Sequence, residues 1–214
     1  DLLGWCFIGL LEFSMPKELV FMTKSIDFYF DFISPYSYLA HKKIKTFKEK
    51  GINLNYKPIL VGGLHNLQGI TAPAFIKPKL NHMINDCLLF AKKDNFKFVW
   101  NSNFPINSLS LMRGYFFLEN NKKELYLDIM FDAYWKDNLD ISKEEILIKL
   151  LKRCNIDENI FFEGIKDPKI KDELKFATQE AHDKDIFGAP TFVVNNKIFW
   201  GQDRLEFALE EYNK

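Results

Sequence analysis

Asp27-Phe28-Tyr29-Phe30-Asp31-Phe32-Ile33-Ser34-Pro35-Tyr36-Ser37 is the stretch from which the fold can be built outward. Ile26, Phe28, Phe30 and Phe32 alternate with Asp27, Tyr29 and Asp31. That period of two predicts a strand, and its apolar content suits a sheet interior. Ser34-Pro35 stops the strand and opens a helix, because serine is a favoured N-cap and proline fits the first helical position. Tyr36, Ala40, Ile44 and Phe47 mark one helical face, which runs to a stop at Gly51. Asn53 to Lys57 alternates again and ends at Pro58. A strand, a crossover helix and a second strand imply a parallel pair.

From Val61 the texture changes. Gly62-Gly63 and the run from Pro73 to Pro78 read as a long irregular connection. Helical patterns follow near 79–94, 107–119, 122–136 and 142–154. In the third, Leu125, Ile129, Met130 and Ala133 share a face; in the fourth, Ile146, Leu147, Leu150, Leu151 and Cys154 do. After Pro168 another helix turns Leu174, Ala177 and Ala181 inward and is broken at Gly188-Ala189-Pro190. Thr191–Val194 and Lys197–Trp200 form a hairpin about Asn195-Asn196. Asp203 is expected to cap a last helix whose Leu205, Ala208, Leu209 and Tyr212 fall on one face. The order β-α-β, a block of helices, then α-β-β-α is that of an α/β thioredoxin-like fold with an all-α helical insertion. The expected division assigns 23–61 and 166–214 to the thioredoxin-like domain and 62–165 to the insertion.

Composition narrows the function. With 214 residues, 47% hydrophobic and 22 of them Phe, the chain can bury a sizeable core. Lys+Arg and Asp+Glu number 29 each, so no net field draws nucleic acid or an anionic membrane. Lys42-Lys43 and Lys92-Lys93 read as solvated helix faces. Cys6, Cys87 and Cys154 are far apart and form no C-x-x-C pair. That argues against a dithiol centre and a disulfide framework, and Cys87 and Cys154 sit in apolar runs as small hydrophobes. The histidines (His41, His65, His82, His182) show no metal-ligand spacing, so no metal is expected. Leu2 to Phe13 is apolar but far short of the roughly 20 residues a membrane helix needs. It also lacks a basic n-region and a cleavage site. Residues 1–22 are therefore read as an upstream or non-native leader, with Met22 as the start.

Three constellations carry chemistry. Ser34 stands at the N-terminus of the first helix, where the dipole and free backbone N–H groups favour an anion. A cysteine there becomes a low-pKa thiolate; a serine can only cap the helix or donate to another molecule's thiolate. Ala189-Pro190 enters a strand with no ladder donor at the proline. It is either a plain helix stop or, with a cis bond, a place where an extended peptide can pair with Ala189. Trp200-Gly201-Gln202-Asp203 precedes the last helix, and Asp203 with Glu206 imitates a capping box. The same helix start could receive a ligand carboxylate while Asp203 holds a ligand ammonium.

Together with the opening stretch Asp27 to Ala40, these features resemble 2-hydroxychromene-2-carboxylate isomerases, relatives of kappa-class glutathione transferases and DsbA-type proteins. Lys57-Pro58, Gly62-Gly63-Leu64, Asn103-Phe104-Pro105-Ile106-Asn107-Ser108-Leu109, Phe187 to Phe192 and Trp200 to Leu205 resemble further blocks, in family order over residues 26–210. The resemblance implies a glutathione-dependent isomerase of aromatic 2-oxo acids used in aromatic degradation, cytoplasmic and homodimeric. It makes Ser34 the residue that activates the glutathione sulfur. Ala189 and Pro190 become the pairing site for the tripeptide backbone, and Trp200, Gly201, Gln202 and Asp203 the segment for its γ-glutamyl end. Lys57 falls where a basic residue meets an acidic substrate. The family's Gly-Asn-x-x-Pro is here Gly69-Ile70-Thr71-Ala72-Pro73, so Ile70 supplies no amide and Asn66 or Thr71 is expected to compensate. A kappa-type transferase and a non-catalytic DsbA-like peptide binder are the alternatives. DsbA-like thiol oxidation is disfavoured by Ser34 and Ser37.

Overall fold

The computed structural model describes residues 24–47 and 51–214. Cys6 and the leader expected over residues 1–22 lie outside the described residues.

Four strands form one sheet in the order β2-β1-β3-β4: β1 (Ile26–Phe30), β2 (Leu54–Pro58), β3 (Thr191–Val194) and β4 (Lys197–Trp200). β1 pairs parallel with β2, as a crossover by α1 (Pro35–Phe47) requires. It pairs antiparallel with β3, and β3 with β4 through a turn in which Asn195 and Asn196 both have positive φ. This is a thioredoxin-like sheet, and the helices between its halves make the all-α insertion.

The period of two in β1 assigns its faces. Phe28 and Phe30 are fully buried in the main core with Phe192, Ile44 and Leu205. Phe28 stacks on Phe192 at 5.2 Å and meets Tyr56 edge-on at 5.3 Å. Tyr29 points the other way, into a smaller cluster with Ile59, Leu64, Ala181 and Ile186. Helix α1 thus covers one face of the sheet.

The other face is covered by α2 (Val61–Leu67) and, beyond the insertion, the helix Pro168–Asp183. Helix α2 corrects the irregular connection expected from Val61. Gly62-Gly63 lowers local helix propensity, but Leu64 is completely buried and Asp31 holds the Val61 N–H, so tertiary contacts override it. A 3-10 turn follows at Pro73–Phe75.

The insertion continues with α3 (Lys77–Lys93), α4 (Leu109–Phe117), α5 (Asn120–Trp135), α6 (Glu144–Arg153) and α7 (Glu158–Gly164). Helix α6 buries Leu147, Leu150 and Leu151 as its periodicity predicts. In α5 the expected face is rotated: Leu125 is 41% exposed, while Tyr126, Met130, Phe131, Tyr134 and Trp135 are fully buried. Large aromatic rings bury more area than one leucine, so they decide which side of α5 turns inward. The remaining helices are α8 (Pro168–Asp183) and α9 (Leu205–Tyr212). Helix α8 ends at Asp183, five residues before the expected break at Gly188. The main core runs without interruption from the sheet into α4, α5, α6 and α7.

Candidate active site

Ser34 lies between the C-terminal end of β1 and the start of α1, and is 7% exposed. Its N–H donates to the Asp31 carbonyl at 3.1 Å, closing the turn. Its Oγ accepts the Ser37 N–H at 3.1 Å, which is the helix cap that Ser-Pro predicts. The same hydroxyl donates to the Ala189 carbonyl at 2.9 Å. Capping and ligand chemistry are therefore compatible, because the cap uses a lone pair and leaves the proton free to be redirected.

Two of the three constellations thus meet across 155 positions of sequence. The Ala189–Pro190 bond is cis, as is Phe104–Pro105. The loop is braced by the Thr191 hydroxyl donating to the Gly188 carbonyl at 2.7 Å and by Gly201 N–H on the Pro190 carbonyl at 3.0 Å. Gly188 is required by close approach: a Cβ there would come within 2.7 Å of the Trp200 indole nitrogen.

The segment Trp200 to Asp203 divides. Alternation along β4 sends Phe199 toward the main core and Trp200 to the opposite side. There Trp200 packs on Phe187 at 5.0 Å and borders an open cleft of about 700 Å³ shared with Ile198, Ile186 and His182. Gly201, at φ +112°, reverses the chain into a 3-10 turn over Gln202–Arg204. Gln202 is buried against α1, its Oε1 accepting from Lys43 Nζ at 2.8 Å while its Nε2 has no hydrogen-bond partner among the described residues. Lys43 also pairs with Asp94 at 2.9 Å, so it is a bridge between helices and not the solvated side chain expected.

Asp203 does not cap α9. Its carboxylate is bound by the neighbouring Arg204 guanidinium at 2.5 Å, and the 3-10 turn makes Arg204 the residue that enters the helix. Gln202 and Asp203 instead line a small cavity of about 70 Å³ with Lys43, Phe90 and Lys93.

Lys57 is exposed on β2 in register with Tyr29, on the sheet face that α8 covers and near Glu180. Asn66 on α2 and Thr71 beyond it are also exposed, and the Asn66 carbonyl accepts the Gly69 N–H at 3.1 Å. Ile70 is 47% exposed. Among the described residues no hydrogen bond joins Lys57, Asn66 or Thr71 to Ser34 or to the Ala189–Pro190 loop.

Two buried groups were not legible as site residues. The strand pattern put Asp31 on the polar side of β1, yet β1 ends at Phe30 and Asp31 is completely buried. Burial pushes its carboxyl up to about 6, against hydrogen bonds from the Val61 N–H, the Ser108 hydroxyl and the Ile33 and Phe32 N–H groups. Its position directly before the Ser-Pro turn, past the last ladder residue, is the signal that could have found it.

The second is His41 on α1. Its Nε2 lies 2.7 Å from Asp128 Oδ1 and its Nδ1 3.1 Å from the Tyr56 hydroxyl. Burial lowers the imidazole pKa against the pull of Asp128, so the ring is neutral, with Nε2–H on the carboxylate and Nδ1 accepting from Tyr56. Burial also opposes ionisation of Asp128, but bonds from His41 and Lys45 outweigh it and hold that carboxyl at about 2. The network ties α1, α5 and β2 together beneath the site. Cys87 and Cys154 are buried free thiols, both pushed up by burial, Cys154 to about 11.

Comparison with known proteins places the fold in a family. Residues 25–213 match the family model of DSBA-like thioredoxin domains. A 2-hydroxychromene-2-carboxylate isomerase of Sphingobium xenophagum is 30% identical over 194 residues, 89% of this chain and 98% of that protein. The chain belongs to the 2-hydroxychromene-2-carboxylate isomerase family of DSBA-like thioredoxin domains. Glutathione S-transferase kappa 1 of Homo sapiens is 24% identical over 206 residues, covering 86% of this chain and 89% of that one. The solved structure of a 2-hydroxychromene-2-carboxylate isomerase superposes with a TM-score of 0.78 at 25% identity, over 86% of this chain and 92% of the other. Among the described residues no helix is long and apolar enough to cross a membrane.

Proposed function

We propose that this family member is a glutathione-dependent cis-trans isomerase of aromatic 2-oxo acids related to 2-hydroxychromene-2-carboxylate, acting in aromatic degradation. The observation that carries the reading is the Ser34 hydroxyl, set at a helix N-terminus and aimed at the carbonyl before a cis-proline. The donor set suits a thiol tripeptide. Ser34 offers one O–H, α1 offers a positive helix end, and Gln202 carries a buried amide nitrogen without a partner among the described residues. Ala189 presents its carbonyl at the same place.

When bound, glutathione supplies a thiolate that adds to and leaves a conjugated double bond, allowing rotation about it. For this, Ser34 turns its proton from the Ala189 carbonyl to the sulfur while its lone pair keeps the Ser37 N–H. The cap therefore survives the exchange, and the hydroxyl is oriented before the ligand arrives. The Ala189 carbonyl, released by Ser34, becomes an acceptor for a tripeptide N–H. One hydroxyl and one helix end stabilise sulfur's negative charge without a proton shuttle. With Ser34 at the helix end and Cys87 and Cys154 buried with raised pKa values, no cysteine among the described residues is set up as a redox thiolate. Lys57, Asn66 and Thr71, all exposed, are assigned to the acidic substrate.

The test is isomerisation of hydroxychromene carboxylate followed with and without glutathione. Turnover only with glutathione is expected, and glutathione-independent turnover or none overturns the reading. The similarity to human kappa transferase supports a second reading, conjugation. A chlorinated nitroaromatic assayed in parallel separates the two, because a transferase consumes glutathione and an isomerase does not. The expected homodimer and cytoplasmic location belong to the same proposal, and gel filtration checks the first.

A further inference from the structure

We infer that Asp31 is a positioning residue that sets the catalytic turn against the substrate-side helices, an inference that rests on the proposed isomerase reading. Asp31 uses every acceptor it has on segments that border Ser34. Its backbone carbonyl takes the Ser34 N–H at 3.1 Å, and Oδ1 takes the Ile33 N–H at 3.2 Å. Oδ2 takes the Val61 N–H at 2.9 Å, at the first residue of α2, the helix that leads to Asn66 and Thr71. The Ser108 hydroxyl, at the start of α4, faces the same carboxylate. One side chain therefore couples the turn carrying Ser34 to the first residues of two insertion helices.

The charge is held at a cost. Asp31 is completely buried, its partners are neutral N–H and O–H groups, and among the described residues no ion pair reaches it. A carboxylate meant only to satisfy a turn could be an asparagine, which accepts through one oxygen and carries no charge to bury. The second oxygen is what lets Asp31 hold Ile33 and Val61 at once. With an amide NH₂ in place of that oxygen, a donor faces a donor and either the turn or α2 must move. Displacement of Ser34 by about 1 Å suffices to lower a rate on the order of 100-fold.

The experiment compares wild type, Asp31→Asn and Ser108→Ala for kcat and KM on hydroxychromene carboxylate at saturating glutathione, with glutathione affinity by calorimetry. Asp31→Asn is expected to lower kcat by roughly 10- to 100-fold, with substrate KM and glutathione Kd changed less than about 3-fold. Ser108→Ala, which removes one donor and leaves the turn bonded, is expected to lower kcat by about 3-fold. A purely structural role would lower the folded fraction and leave kcat per folded molecule unchanged, and that result overturns the inference. If Asp31→Asn does not fold, wild-type kcat in Ser108→Ala overturns it equally. Inactive wild type removes the isomerase reading and this inference with it, whereas active wild type with an equally active Asp31→Asn removes this inference alone.

Discussion

Replacing Ser34 by alanine tests the two uses of one hydroxyl separately. The Oγ accepts the Ser37 N–H and donates to the Ala189 carbonyl. Losing an N-cap oxygen costs about 1 kcal/mol. Losing the part-buried bond to Ala189 costs about 1 kcal/mol more. For a chain of this size each kcal/mol moves Tm by roughly 2–4 °C, so Ser34→Ala is expected to melt about 4–8 °C below wild type. Glutathione at about 100 times its Kd adds about 2.7 kcal/mol to wild type, and Ser34→Ala should gain clearly less. Turnover should fall by about 100- to 1,000-fold, as when a donor to developing charge is removed. Scanning fluorimetry with and without glutathione, together with initial rates corrected for folded fraction, makes these measurements. A corrected rate within about 3-fold of wild type refutes the catalytic role. An unchanged Tm refutes the capping arithmetic even if turnover is lost.

Ser34→Cys should place a thiol at the α1 N-terminus with a pKa below about 8.5, read from thiolate absorbance against pH; a higher value refutes the claim that the helix end favours an anion there. The acid limb of stability is shaped by two opposed groups. His41, with its folded pKa lowered, loses stability as pH falls below about 6.5, because the unfolded chain takes the proton first. Asp31, raised from 3.8 to about 6, gains stability as pH falls through that window, by about 3 kcal/mol at 1.36 kcal/mol per unit. Urea unfolding from pH 6.5 to 4 should therefore fall more steeply in Asp31→Asn than in wild type, and parallel curves refute the assignment. Trp135→Phe removes the indole N–H that donates to the Phe32 carbonyl at 2.8 Å in a fully buried site. The orphaned carbonyl and the void should cost about 3 kcal/mol in urea unfolding, and a loss below about 0.5 kcal/mol refutes the bond's importance.

The sheet and its order were legible because its signals are local. Alternation from Ile26 to Phe30, Ser-Pro after it and Asn195-Asn196 in the hairpin each determine backbone geometry within a few residues. What failed depended on distant partners. Helix α2 was hidden by Gly62-Gly63, and only the contacts of Leu64 and Val61 reveal it. Asp203 looked like a cap because nothing local announces that Arg204 takes its carboxylate. The site followed the same rule. Ser34 and Ala189-Pro190 stand out by local chemistry, and a 2.9 Å hydrogen bond joins Ser34 to the Ala189 carbonyl. Asp31 escapes the pattern because alternation assigns a polar residue to the outer face of a strand, and this one lies past the last ladder pair.

The bond from Trp135 to the Phe32 carbonyl crosses from the last turn of α5 to the turn that presents Ser34. It makes the insertion a poor unit of exchange. A chimaera that grafts another relative's helices onto this sheet would also replace the support of the turn that carries Ser34. Such a graft leaves the turn supported only if it keeps an indole at this position. The insertion is thereby coupled to the β1–α1 corner through a main-chain acceptor, so the indole at 135 matters to the turn whatever side chain stands at 32.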